Sequence, residues 1–249
     1  MTFKLQHILP GDPPDAFPAT HTALRQPNGL LAVGGDLSTE RLISAYSRGI
    51  FPWFSEGEPI LWWTPDPRTV FRPGEVHVSK KLQRLLKRGE FAVTLDGAFA
   101  DVMLHCAQPR RRDSGTWLLP NMRAAYQALH EKGFAHSVEV WQHGQLVGGL
   151  YGIALGRAFF GESMFSRRSD MSKVALVMLS RQLKEWGFLL FDGQVGSAHL
   201  YRMGAVDIPR AEFEKLLCRA VPTVPRPARW ENTPLLPAPA EHLPAFLQN

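Results

Sequence analysis

The sequence has little of what builds disulfide frameworks and metal sites. Its 249 residues include two cysteines, Cys106 and Cys218, which lie far apart in the chain. It contains neither a Cys-x-x-Cys nor a His-Glu-x-x-His pattern, so it predicts no structural disulfide and no zinc site. We therefore expect a protein of a reducing compartment, the cytoplasm.

Long apolar runs are missing as well. No stretch approaches the roughly 20 apolar residues that a helix needs to span a bilayer. The first residues carry one lysine followed by prolines and acids, without the apolar centre of a signal peptide. These absences predict a soluble protein with no membrane attachment.

The overall composition is that of a folded globular chain with a moderate excess of positive charge. The hydrophobic share is 45%, the charged share is 20% and the formal net charge is +5. Such values argue against wholesale disorder. The positive balance favours a polyanionic partner only weakly until the charges can be placed in the fold.

The patterns divide the chain into three parts. Residues 1–68 are rich in Pro, Gly and Trp, and they predict a small irregular domain with one helix over 38–48. Residues 69–220 predict an α+β domain in which, from residue 91, the elements follow the order β, α, α, β, β, β, α, β, α. Asp96 is expected to cap the first of these helices, which runs to about residue 108. Residues 221–249 form a Pro-rich tail.

This order of elements is that of the acetyltransferase fold, whose members use acetyl coenzyme A. Those enzymes usually hold the cofactor pyrophosphate with an Arg/Gln-x-x-Gly-x-Gly/Ala turn, where backbone N–H groups face phosphate. The corresponding connection here reads SMFSRRSDMSKVA and has no glycine. A coenzyme A dependent N-acetyltransferase is therefore an alternative that the topology favours and the missing turn disfavours.

A helix predicted over 78–90 separates its charges from its leucines. Leu82, Leu85 and Leu86 fall on one face. The opposite face, which we name the basic ridge, carries Lys80, Lys81, Arg84, Lys87 and Arg88. A solvated helix face is the ordinary interpretation, but such faces usually mix acids with bases. With the three arginines at 110–112, the ridge favours binding of an RNA backbone, and a noncatalytic RNA-binding module is a second alternative.

Several tryptophans and acids lie at positions that do not contribute to a hydrophobic core in the predicted pattern. Trp53 and Trp117 lie in predicted loops, where they either cover a small core or stack on bases. Glu162 ends an apolar strand and precedes a helix. Asp192 and Gln194 follow another apolar strand, and two-residue alternation places both side chains on one side. A buried carboxylate needs a partner or a function, and Gln194 is the expected partner of Asp192.

Several segments together resemble the leucyl/phenylalanyl-tRNA–protein transferase family. They are PNGLLAVGGDLS, RGIFPWF, PILWWTPDPR, GTW, HSVEVW, LVGGLYG, GESMFS and FDGQV, and they span about residues 27–210. The resemblance implies a small N-terminal domain and an acetyltransferase-like C-terminal domain. It implies transfer of Leu or Phe, less readily Met, from aminoacyl-tRNA to the N-terminal Arg or Lys of proteins, which marks them for degradation.

The resemblance also implies roles for individual residues. Trp53 and Trp117 would stack the terminal adenosine, and the basic ridge would contact the acceptor arm. Asp192 and Gln194 would form a catalytic relay, with Glu162 positioning the incoming amine. The aminoacyl side chain would enter an apolar pocket lined by Leu150, Phe159, Leu176, Leu179 and Phe191. Because the tRNA ester is already activated, we expect neither a metal nor another cofactor, and we expect a monomer.

Overall fold

A small sheet organises the N-terminal part of the computed structural model, which describes residues 5–108, 118–222, 228, 230, 235 and 242. Its strands, in the spatial order β1-β2-β4-β3, are β1 (Gln6–Ile8), β2 (Leu30–Gly34), β3 (Phe51–Pro52) and β4 (Leu61–Trp63). The helix α1 (Thr39–Ser47) and a single 3₁₀ turn (Thr20–Thr22) complete this part. The predicted helix is confirmed. The short strands were not predicted, because they show no alternation in the sequence.

The helix α1 has the two signals that predicted it. The Ser38 side chain accepts a hydrogen bond from the backbone N–H of Arg41 at its start. After its end, Gly49 has a φ of +71°, a left-handed conformation that glycine adopts without strain. The helix therefore begins and ends within one residue of the predicted bounds.

A seven-stranded sheet forms the centre of the larger part. Its strands are β5 (Arg68–Phe71), β6 (Ala92–Leu95), β7 (Ala135–Gln142), β8 (Gln145–Leu155), β9 (Ala158–Ser166), β10 (Leu190–Gln194) and β11 (Val206–Ile208). Their spatial order is β11-β5-β10-β9-β8-β7-β6. Within the described strands, β9 and β10 run parallel, whereas the other neighbouring pairs are antiparallel.

Helices cover both faces of this sheet. They are α2 (Lys80–Arg88), α3 (Phe99–Cys106), α4 (Pro120–Glu131), α5 (Met171–Glu185), α6 (Ala198–Arg202) and α7 (Arg210–Ala220). Buried residues of α3, α4 and α7 join one hydrophobic core together with α1, and buried residues of α2 and α5 join a second core. The α+β, acetyltransferase-like order predicted from residue 91 is confirmed, whereas β5, α6 and β11 were not predicted.

Asp96 does not cap α3, contrary to the prediction. The helix begins at Phe99, and its N-cap residue Ala98 makes no side-chain capping hydrogen bond. Instead, Asp96 accepts a hydrogen bond of 2.9 Å from the backbone N–H of Ser137, and its other oxygen lies 2.8 Å from Nδ1 of His136. The side chain therefore joins β6 to β7.

Two residues of the C-terminal tail, Trp230 and Leu235, lie against β6 and β7. The backbone N–H of Leu235 donates to the carbonyl of Val93 at 2.7 Å, and the ring of Trp230 stacks on His136 with 4.1 Å between centroids. The domain limits at residues 68 and 220 stay predictions. In the part of the chain that the structure describes, no helix is both long and apolar enough to cross a membrane.

The burial of α2 gives a test of its orientation. Leu82 is 2% exposed, whereas Leu86 on the same helix is half-buried. We expect Leu82→Ala to lower the free energy of unfolding by about 2–5 kcal/mol, because it removes a buried side chain and leaves a cavity. Leu86→Ala is the matched control and should cost clearly less. Equal losses in urea denaturation would contradict this orientation.

Candidate active site

A cavity opens where β9 and β10 separate. The two strands pair at Leu190↔Ala158, Phe191↔Phe159 and Asp192↔Phe160, and the pairing ends there. The space beyond has a volume of about 770 Å³. Its walls come from β3, β8, β9, β10, the end of α3 and the loop before α6, and they include Glu162, Asp192 and Gln194. The structure thus brings the three predicted polar residues to one site.

Glu162 is held by three hydrogen-bond donors. The hydroxyl of Tyr46 and the Nε2 of Gln194 each donate to Oε1 at 2.7 Å. The hydroxyl of Tyr126 donates to Oε2 at 2.7 Å. Glu162 is therefore fixed by α1, α4 and the end of β10, and it lies within β9 and not at the end of the strand, where it was predicted.

The hydrogen bonds of this cluster favour the protonated form of Glu162. The Tyr46 and Tyr126 hydroxyl oxygens are also 2.8 Å apart. Each of the three oxygen–oxygen contacts in the cluster needs one proton. The two tyrosine hydroxyls supply two of these protons, and a protonated Glu162 carboxyl supplies the third. Burial raises the pKa of Glu162 to about 7, and the hydrogen bonds from Tyr46, Tyr126 and Gln194 offset this only in part.

Asp192 forms an ion pair that the sequence did not predict. Its side chain is fully buried, and both oxygens accept from the guanidinium of Arg68, at 2.9 Å from Nε and 2.6 Å from Nη2. Two charges removed from water require such a partner. Arg68 begins β5, 124 residues away in the chain, so no local pattern could identify it.

Asp192 and Gln194 are joined, but not as predicted. The backbone N–H of Gln194 donates to Oδ1 of Asp192 at 2.8 Å, while the Gln194 side chain reaches Glu162 instead. A register shift lies between the two residues, and Gln194 has a φ of +61°. Two-residue alternation fails here because this bulge turns the strand.

Three of the five predicted pocket residues line the cavity, and two do not. Leu150, Leu176 and Phe191 contribute to its wall. Phe159 and Leu179 are 0% exposed and belong to the core behind it. Phe159 packs edge-on against Phe191, with 5.4 Å between ring centroids. Apolar wall residues that the prediction missed are Phe71, Met164, Phe165 and Leu200.

Of the two predicted stacking tryptophans, Trp53 lies at the cavity. It is 47% exposed and lines the wall. Trp63 supports it by donating from Nε1 to the Trp53 carbonyl at 2.7 Å, and the two rings are 5.8 Å apart. Trp117 and the arginines at 110–112 lie outside the described residues.

The basic ridge lies on α2 as predicted, with all five side chains exposed. Lys81 pairs with Asp170 at 2.7 Å, and Arg88 lies 4.0 Å from Glu90. Within the described ranges, Lys80, Arg84 and Lys87 form no ion pair. The ridge therefore offers positive charge to an external polyanion.

The N-terminus of α5 is already occupied by protein charges. Asp170 is its N-cap residue, and its carboxylate accepts from Lys173 and Lys81, each at 2.7 Å. An acid at this position competes with a phosphate for the helix N-terminus. Among the residues with described positions, no group of three or more His, Cys, Asp or Glu side chains is arranged to hold a metal ion.

Sequence reasoning missed three partners of the two acids: Arg68, Tyr46 and Tyr126. Tyr46 and Tyr126 are each 0% exposed and lie on the buried faces of α1 and α4, where a tyrosine resembles any other core residue. A weak signal existed for Arg68, which directly precedes the apolar strand residues TVF. A buried arginine predicts an acid, but it does not identify which one.

Two family models match the chain. The leucyl/phenylalanyl-tRNA protein transferase model matches residues 70–218, and the N-terminal domain model of the same family matches residues 35–66. A leucyl/phenylalanyl-tRNA–protein transferase from Nitrosospira multiformis is 59% identical over 214 residues, which cover 86% of this chain and 92% of that protein. A protein of the same name from Alkalilimnicola ehrlichii is 55% identical over 229 residues, 92% of this chain and 89% of that protein.

Similarity to solved structures is much lower. A GCN5-related N-acetyltransferase from Kribbella flavida superposes with a TM-score of 0.34 at 12% identity, over 66% of this chain and 59% of that chain. A likeness of this size carries no argument about activity.

The raised pKa of Glu162 predicts a pH dependence of stability. The folded protein keeps this proton up to a pKa of about 7, whereas the unfolded chain releases it near the ordinary value of 4.5. Stability that is present below that ordinary value is therefore lost as the pH rises through about 7. Between pH 5 and pH 8, the unfolding free energy of the wild type should fall by up to about 3 kcal/mol more than that of Glu162→Gln.

Urea denaturation at both pH values measures this difference. Burial also raises the pKa of Glu139 to about 7. Glu139→Gln therefore measures how much of the pH dependence of stability arises outside the cavity. If Glu162→Gln shows the same pH difference as the wild type, the proton assignment in the tyrosine cluster is wrong.

Proposed function

This chain belongs to the leucyl/phenylalanyl-tRNA–protein transferase family, and we propose that it moves Leu or Phe, less readily Met, from aminoacyl-tRNA to the N-terminal Arg or Lys of proteins. The observation that carries this proposal is a carboxyl group, Glu162, fixed beside an apolar pocket. The pocket suits a hydrophobic guest, and the carboxylate suits a cationic acceptor. We further propose that the enzyme acts as a cytoplasmic monomer and that the transfer marks the acceptor for degradation.

The donor side of the proposal uses the cavity wall and the basic ridge. The aminoacyl side chain would lie against Leu150, Leu176 and Phe191. The exposed ring of Trp53 would stack on the terminal adenosine, together with Trp117, and such stacking is worth about 1–3 kcal/mol per base. The basic ridge would contact the phosphates of the acceptor arm.

The chemistry needs a neutral amine next to an ester that is already activated. The α-amino group of a polypeptide has a pKa near 7.7–8.0, so little help from a base is required. The amine nitrogen attacks the ester carbonyl carbon, the C–N bond forms, and the bond to the ribose oxygen breaks. The amine loses one proton, and the ribose oxygen gains one and becomes the hydroxyl of the free tRNA. Holding both reactants in the cavity supplies much of the rate.

We propose that Gln194 receives the amine. Its Nε2 donates to Glu162 at 2.7 Å, so the orientation of the amide is fixed and Oε1 is the atom left to accept a hydrogen bond. An amine bound to Oε1 would lie close to the Glu162 carboxylate. A cation at this place also favours the ionised form of Glu162. The two residues would thus bind the N-terminal residue of the acceptor between them.

A transfer assay tests the proposal directly. Radiolabelled Leu-tRNA is incubated with a peptide beginning with Arg, a peptide beginning with Lys and a matched peptide beginning with Glu. We expect label on the first two peptides alone, because the acidic residue would face Glu162. Acetyl coenzyme A with the same peptides, in the absence of RNA, is the control for acetyl transfer.

The outcomes separate the alternatives. Acetylated peptide without RNA would favour a coenzyme A dependent N-acetyltransferase. Salt-sensitive tRNA binding with no labelled product would favour a noncatalytic RNA-binding module. Equal labelling of all three peptides would keep the transfer reaction but contradict the acceptor rule.

The basic ridge gives a second, independent measurement. Arg84→Gln and Lys87→Gln should each reduce the slope of log K against log salt concentration for tRNA binding by about 1, because each removes one phosphate contact. Lys215→Gln is the matched control, since Lys215 is exposed on α7 in the opposite helix layer. An unchanged slope in both ridge variants would place the tRNA elsewhere.

A further inference from the structure

We infer that Arg68 is a positioning residue for the transfer reaction, acting through Asp192 on Gln194. The inference rests on the proposed function of the cavity. Arg68 is not part of the cavity wall, so it cannot touch the reactants. Its effect would come from the geometry that it imposes on the turn after β10.

All three nitrogens of the Arg68 guanidinium donate hydrogen bonds. Nε and Nη2 bind the two oxygens of Asp192, and Nη1 donates to the carbonyl of Gly49 at 3.0 Å. Arg68 and Asp192 are both 0% exposed. A bidentate pair of this kind fixes the carboxylate in direction as well as in position.

Two aromatic rings also pack against the same guanidinium. Its central carbon lies 4.9 Å from the ring centroid of Phe51 and 4.5 Å from that of Phe213. Phe51 belongs to β3 and Phe213 to α7, while Gly49 follows α1. The small N-terminal sheet and the last helix therefore meet at Arg68, and their packing sets the place of Asp192.

Asp192 transmits this position to Gln194. Its Oδ1 also accepts the backbone N–H of Gln194 at 2.8 Å, across the bulge that gives Gln194 its φ of +61°. That conformation is uncommon for a residue other than glycine and needs support from its surroundings. With the backbone held there, the Gln194 amide reaches Glu162.

These contacts give Arg68, Asp192 and Gln194 different roles. Both oxygens of Asp192 already accept hydrogen bonds from Arg68, and its side chain is fully buried. Asp192 thus serves to hold Gln194 rather than to take a proton from the amine. Arg68 keeps Asp192 in place, and Gln194 and Glu162 meet the acceptor.

The first test is Arg68→Lys, which keeps the charge but loses the bidentate geometry. We expect kcat to fall by about 10- to 100-fold, because displacement of a reacting contact by an ångström has an effect of that size. The KM for Leu-tRNA should stay within about twofold, since the pocket and the basic ridge are unchanged.

Arg41→Lys is the matched control. Arg41 is 1% exposed, pairs with Asp36 at 3.2 Å and donates to the carbonyls of Asp12 and Pro13, away from the cavity. It should lower the melting temperature as Arg68→Lys does, yet leave kcat unchanged. The inference is wrong if kcat falls in both variants in proportion to their unfolded fractions. It is also wrong if Arg68→Lys keeps the wild-type kcat.

A second pair of variants separates the charge of Asp192 from its position. Asp192→Asn leaves Arg68 without its counter-charge, whereas Arg68→Gln with Asp192→Asn is neutral and can still hydrogen-bond. If Asp192 acts by position, the double variant should regain at least about tenfold in kcat over Asp192→Asn, since part of the lost geometry returns. Equal inactivity of the folded single and double variants would show that the carboxylate itself is required. A wild-type protein inactive in the transfer assay would count against the proposed function instead.

Discussion

The strands β9 and β10 run parallel over three paired positions and then separate after Phe160 and Asp192. In the gap, one strand carries Glu162 and the other carries Gln194, and their side chains meet at 2.7 Å. The cavity therefore has apolar wall residues and polar side chains next to each other. The separation of the two strands creates the cavity and brings Glu162 and Gln194 together in it.

The two carboxyl groups at the gap are stabilised by different kinds of partner. Asp192 has a buried guanidinium, so its charge is matched within the protein. Glu162 has only neutral donors, and burial raises its pKa to about 7 in spite of them. A group in that state gains most from a positive charge that arrives from outside. An acceptor that begins with Arg or Lys, as we propose, would bring such a charge to the apolar pocket.

The sequence predicts the larger part of the fold well because its elements carry strong local signals. Helices such as α1 end in glycine, and the long strands β7 and β8 are joined by a two-residue turn at His143 and Gly144. The N-terminal sheet was missed because strands of two to five residues are too short to show a period. Their pairing is decided by contacts such as the hydrogen bond from Trp62 to Gly34, which is 28 residues distant.

The site was predictable only where a polar residue interrupts or follows an apolar run of the sequence. Glu162, Asp192 and Gln194 were found for this reason, although Glu162 and Asp192 lie within β9 and β10 and not at their ends. Their partners were not, since Arg68 and Tyr46 lie more than 100 residues from the acids they bind. Local periodicity also ends at the bulge beside Gly193, and so the prediction gave Gln194 the wrong contact.

The apolar pocket shows the same limit in another form. Phe159 and Leu179 have the character of wall residues, yet they lie one layer behind the wall. Sequence cannot separate the two layers, because a pocket for a hydrophobic guest has the composition of a core. The layers are nevertheless coupled, since the Phe159 ring supports Phe191 edge-on at 5.4 Å. Under the proposed function, core packing would therefore limit the size of the bound side chain together with the residues that touch it.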